Sequence, residues 1–168
     1  MDKIKWVFIN IVNFVVIALL IFLPLFTLSN PNGSLVFETK TMYGFNFLGG
    51  LMIKSDGNNS QVLASKILGF VPVMMILSSF VIDKITNVKI GKDIVNFLCL
   101  FVSFIYVFLL PIISSEFITE TYRGYVEFNK IWGYYVITII TGLVMAYYLA
   151  ALIISLVKIN KENKEVKE

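Results

Sequence analysis

The sequence has no histidine and a single cysteine, Cys99. The first absence removes the commonest metal ligand and the commonest general base. The second excludes an internal disulfide, so segments between apolar runs must be held by packing and hydrogen bonds. Arginine is as scarce: Arg123 stands alone beside thirteen lysines, and the formal net charge is only +3. No basic stripe exists to grip nucleic acid, so none is expected as a partner. Metalloprotease, nucleophile-elbow and phosphate-loop motifs are missing. Catalysis would have to rest on Ser, Tyr or Cys99 with no base beside it. The expectation is a non-enzyme with no catalytic, cofactor-binding or metal site.

What the chain does have is apolar length. Hydrophobic residues make up 58% of its 168 positions and the mean hydropathy is +0.83, more than a soluble core can absorb. The excess falls into four runs, at about 6–28, 62–82, 94–113 and 131–157. Each meets the roughly 20 residues that a hydrocarbon layer of about 30 Å requires. No Asp or Glu lies inside any of them, whereas coupled transporters mark their pathways with ionisable groups. The first run is longer than a signal-peptide core and ends without small residues, which reads as an uncleaved anchor. The expected fold is an all-α membrane protein of one domain. It comprises a four-transmembrane-helix bundle with a small extracellular β element between helices 1 and 2.

Lysine placement sets the expected orientation. The N-terminus, the 83–93 loop and the 158–168 tail hold nine of the fourteen Lys and Arg residues, and segments 29–61 and 114–130 with their borders hold five. By the positive-inside rule both termini face the cytoplasm and those two segments lie outside, in the plasma membrane of a cell. Trp6 at one edge of the first run, and Trp132, Tyr134 and Tyr135 at the edge of the fourth, suit headgroup depth.

Within 29–61, residues 35–47 alternate. Leu35, Phe37, Tyr43, Phe45 and Phe47 fall on one side, with Glu38, Lys40 and Asn46 on the other. That is the period of a half-buried strand. Phe37, Tyr43, Phe45 and Phe47 are accordingly the candidate interaction face. In 114–130, the spacing of Glu116, Glu120, Arg123 and Glu127 predicts a charged extension of the third helix. Pro24 and Pro111 read as helix ends, and Pro72 as a kink in the second helix.

Two constellations occur inside the runs. Thr138, Gly142, Ala146 and Ala150 recur every four residues, a stripe that lets helix backbones approach closely. It serves packing within the monomer or a seam for a partner. Asn10, Asn13, Ser78, Asn96 and Ser103 all fall in the cytoplasmic half and form a candidate polar niche, which either clasps helices together or holds a polar ligand. Asn96, Cys99, Ser103 and Tyr106 share one face of the third helix.

Pro24-Leu-Phe26, followed by Gly44-Phe45-Asn46, is similar to the Pro-x-Trp and Gly-Leu-Trp elements of claudin-like proteins. The tryptophans and paired loop cysteines of that family do not occur here. Leu23-Pro-Leu-Phe26 with Tyr43-Gly-Phe-Asn-Phe-Leu-Gly49 also resembles small bacterial four-span membrane proteins to which no function is attached. Both resemblances imply four spans with strands in the first outer segment. The functional expectation is protein–protein interaction by an accessory subunit, scaffold or immunity-type protector. The alternative is an oligomeric channel or small-solute carrier. Expected partners are the bilayer and another membrane or extracellular protein, with homo-oligomerisation open.

Overall fold

The computed structural model describes residues 2–30, 39–55, 58–64, 67–85 and 89–165. It is mostly helical, with small sheets gathered at one end. The first helix, α1, runs Asp2–Phe22 and gives way to strand β1, Pro24–Ser29. The break falls where Pro24 lacks an amide hydrogen and pushes the residue before it toward extended geometry. The end of the first apolar run is therefore strand rather than span. It is apolar because β1 is the central strand of a sheet ordered β2-β1-β5, with Leu25, Phe26 and Leu28 buried. Strand β2 is Lys40–Tyr43, and β5, Glu127–Lys130, comes from the other connecting segment. Both pair antiparallel to β1, with Thr27 opposite Thr41 on one side and Asn129 on the other. The β element thus draws on both connecting segments, not the first alone.

The expected alternation through residue 47 stops at Tyr43, where the chain turns into a short helix, α2, Gly44–Gly49. Asn46 carries the turn: its side-chain oxygen accepts the Tyr43 N–H at 2.8 Å, satisfying a donor at the helix start. Position 44 must be glycine, since a Cβ there would lie 1.6 Å from the Leu20 carbonyl oxygen. Gly50, at φ 80°, ends the helix and donates its N–H to the Asn46 carbonyl.

A hairpin follows, β3 (Leu51–Ser55) against β4 (Asn58–Leu63). The far side of β4 is stitched to residues 117–119: Thr119 N–H donates to the Val62 carbonyl, Ala64 N–H to that of Phe117. Phe26 sits at the centre of the cap, with ring centroids 5.9 Å from Phe47, 5.9 Å from Phe128 and 5.6 Å from Tyr134. Phe117 packs edge-on against Phe47 at 5.2 Å. Such crossed rings bury large apolar area in favourable quadrupole geometry.

Below the cap, α3 spans Val71–Ile85 after a 3₁₀ turn at Ile67–Phe70, α4 spans Lys89–Ile113, and α5 spans Trp132–Glu165. Helix α4 packs along both α3 and α5, and α1 touches α3 and α5 more lightly. Pro72 lies in the first turn of α3, where a missing N–H breaks no helical bond, so it starts the helix instead of kinking it. Pro111 sits in the last turn of α4. The charged extension of the third helix does not form. Residues 114–130 make two 3₁₀ turns, Ser114–Phe117 and Glu120–Tyr122, and then β5. Arg123 and Glu116 still approach to 3.8 Å, an exposed pair worth little in water.

Two helical stretches are long and apolar enough to cross a membrane: Asp93–Phe117 and Trp132–Asn160, with mean hydropathies of 2.6 and 2.3. The apolar parts described for α1 and α3 are shorter, Ile11–Phe22 and Leu68–Ser78.

Candidate functional site

The interior polar residues were the first candidates, and the structure disperses rather than gathers them. Asn13, buried on α1, donates through its amide nitrogen to the Tyr148 hydroxyl of α5 at 3.2 Å, and that hydroxyl also lies 3.4 Å from the amide oxygen. Ser103, buried on α4, turns its hydroxyl to the Cys99 carbonyl of its own helix at 2.9 Å and to the Pro72 carbonyl of α3 at 3.2 Å. Ser78 donates back to the Met74 carbonyl one turn earlier in α3. Asn96 is buried on the α4 face that also carries Cys99 and Ser103, so the shared face is the one α4 turns inward. The side chain of Asn10 lies outside the described residues.

Three further groups do the same work. The Tyr134 hydroxyl of α5 donates to the Phe108 carbonyl of α4 at 3.1 Å, near the cap. At the opposite end the Ser155 hydroxyl donates to the Asp93 carboxylate at 2.6 Å. With Asn13–Tyr148 between these levels, each described cross-helix bond joins α5 or α3 to a neighbour. Sequence reasoning missed this pair because Asp93 lies just outside the third apolar run and Ser155 is a lone hydroxyl near the end of the fourth. The partnership of Tyr148 with Asn13 becomes visible only once α1 and α5 are side by side.

The small-residue stripe divides. Thr138 is half-buried and Gly142 lies against the Phe104 ring of α4, whose nearest carbon would be 3.2 Å from a Cβ at position 142. Ala146 and Ala150 are exposed. The half nearer the cap packs inside the molecule, and the other half is open.

The four aromatic positions of the first connecting segment also part company. Phe47 is a core residue, 3% exposed, while Tyr43 and Phe45 stand outside at 36% and 45%. Those two stack with centroids 5.5 Å apart and planes 8° from parallel. Phe37 lies outside the described residues. The strand period put Phe45 and Phe47 on one face, and the turn into α2 separates them.

Beneath α2 a half-open crevice of about 20 Å³ is lined by Leu20, Leu25, Phe47, Val73, Leu110 and neighbours. Tyr106 also borders it, and the buried Tyr106 hydroxyl makes no hydrogen bond among the described residues. Among those residues no three His, Cys, Asp or Glu side chains group to hold a metal ion. On the cap, nothing among the described residues pairs with the outward edge of β5, where Glu127, Asn129 and Lys130 are exposed.

This geometry defines a class: a largely helical protein with two helices fit to cross a membrane and a small aromatic-cored cap of paired strands. Compared with protein-family models, curated proteins and solved structures, the chain matches none.

Proposed function

We propose that the chain is a four-span protein of the plasma membrane, with both termini in the cytoplasm, that acts by binding another protein through its outer cap. One observation carries this reading: the described polar atoms that cross between helices are spent on clasping them, while nothing among the described residues pairs with the outer edge of β5. A pathway for solute or ion would need polar groups lining a route, whereas Asn13, Ser103, Tyr134 and Ser155 bond to neighbouring helices and Ser78 to its own backbone. The long helices favour lipid as their surroundings. Only 33% and 17% of their most apolar windows are buried, and a soluble protein would hide most of such surface.

The partner is an extracellular or membrane protein that adds an extended segment alongside β5. Backbone hydrogen bonds along the edge would supply affinity, and alternate side-chain positions specificity. Such a contact suits an accessory subunit, a scaffold or an immunity-type protector. The test is a photo-crosslinking amino acid placed at Glu127 and, as control, at Ile139 on the exposed face of α5, in cells that express the chain natively. A discrete protein adduct from position 127 that position 139 does not give is the expected result. Identical adducts from both positions, or none from 127, would refute the docking edge.

A further inference from the structure

The stacked pair Tyr43–Phe45 belongs to no core and to no edge that the proposed function uses. Its depth can be traced residue by residue. In the sheet, Tyr43 stands opposite Pro24. The Pro24 carbonyl oxygen in turn would lie 2.0 Å from a Cβ on Gly133, in the first turn of α5, so backbone meets backbone there. Trp132 and Tyr135, on either side of Gly133, are both exposed. The pair is therefore level with the aromatic start of α5. A second tie runs from α2 to the other helices: Gly44 abuts the Leu20 carbonyl near the end of α1, and Gly69, just before α3, abuts that of Phe47. Exposed Phe22 and Phe70 fall at this same level.

What covers this ring follows from its chemistry. α2 has no charged residue, and its one strongly polar side chain, Asn46, is buried and turned back to the Tyr43 N–H. A helix facing water would carry charge on its open side. Farther along α1 and α3 the exposed residues are again apolar, Phe14 and Met74 among them. Aromatic side chains collect at the headgroup level of a bilayer, where an amphipathic ring finds both apolar and wet neighbours.

We infer that α2 is an interfacial anchor: Tyr43 and Phe45, in one ring with Phe22, Phe70, Trp132 and Tyr135, are immersed in the outer lipid leaflet and set the depth at which the cap sits. This rests on the membrane reading proposed above, and it makes lipid, not protein, the occupant of that face.

The test uses the full chain in phosphatidylcholine vesicles whose acyl chains are brominated close to the glycerol. The variant Trp6→Phe keeps Trp132 as its sole tryptophan. The variant Trp6→Phe, Trp132→Phe, Phe45→Trp keeps its only tryptophan at position 45. Both are expected to emit in the blue, to lose most of their emission to the brominated lipid and to resist aqueous iodide. Quenching of Trp132 by bromine, together with quenching by iodide at position 45, would overturn the anchor and leave the membrane reading standing. Failure of the brominated lipid to quench Trp132 itself would remove both. Should the triple variant not fold, Phe70→Trp in the same background reports from the same ring and is held to the same two outcomes.

Discussion

At the residue scale the structure is most explicit about Asn13. The sequence placed it with Asn10 in the candidate polar niche, yet no pattern in one helix can reveal which residue of another meets it. Tyr148 lies 135 positions away. A bond of this kind between helices in lipid is worth about 0.6 kcal/mol and reaches about 2. A double-mutant cycle of Asn13→Leu and Tyr148→Phe, read from denaturant unfolding in mixed micelles, should return a coupling of that size. Additive effects would mean that the pair contributes nothing beyond its separate burial. Tyr106 offers the opposite case. Its hydroxyl is buried beside the crevice without a hydrogen bond among the described residues, and an unsatisfied buried hydroxyl costs about 1–3 kcal/mol. Tyr106→Phe should therefore raise the melting temperature, and a fall would show that the hydroxyl has a favourable role. The sequence showed that Tyr106 shares one face of its helix with Asn96, Cys99 and Ser103, and the structure turns that face inward. It could not show which members of that face find partners.

At the scale of elements, α4 and α5 were legible because unbroken apolar length is a one-dimensional property. The cap was not. Residues 24–28 are as apolar as a span because β1 is sandwiched between two strands and roofed by aromatics, and apolarity alone does not separate a buried strand from a buried helix. The turn into α2 escaped notice because it depends on Gly44 fitting against Leu20, a contact between positions 24 apart. That contact is testable. Gly44→Ala forces Cβ into a backbone oxygen, and overpacking of this kind costs about 1–3 kcal/mol or more. Gly49→Ala meets nothing within 4 Å and is the matched control. The expected outcome is a clear loss of thermal stability for the first and near-neutrality for the second. Equal stability would mean that α2 can leave α1 without penalty. Pro72 makes the same point about position. In mid-helix it would bend α3, but in the first turn it does not, so Pro72→Ala should change stability by less than about 1 kcal/mol. A change several times larger would restore the kink.

For the whole molecule the governing quantity is the length of α5 against the thickness of a bilayer. Its 34 residues extend about 51 Å at 1.5 Å per residue, while the hydrocarbon layer is about 30 Å deep. In the membrane arrangement proposed above, the helix must tilt or carry its last turns beyond the lipid, and lysines at 158, 161 and 164 make the second course favourable for its final stretch. If Trp132 marks the outer headgroups, Lys158 emerges on the cytoplasmic side, whereas Arg123 in the cap stays outside. The chain's single, buried cysteine makes this measurable on a clean background. With Cys99→Ser, a membrane-impermeant maleimide applied to intact cells should label Arg123→Cys at once and Lys158→Cys only after the membrane is opened. Labelling in the reverse order would invert the orientation and place the open edge of β5 in the cytoplasm, which would exclude an extracellular partner. Labelling of both without opening the cells would mean that α5 does not cross the bilayer. Its uncovered apolar flank would then need a protein surface to hide it, which no part of the described fold provides.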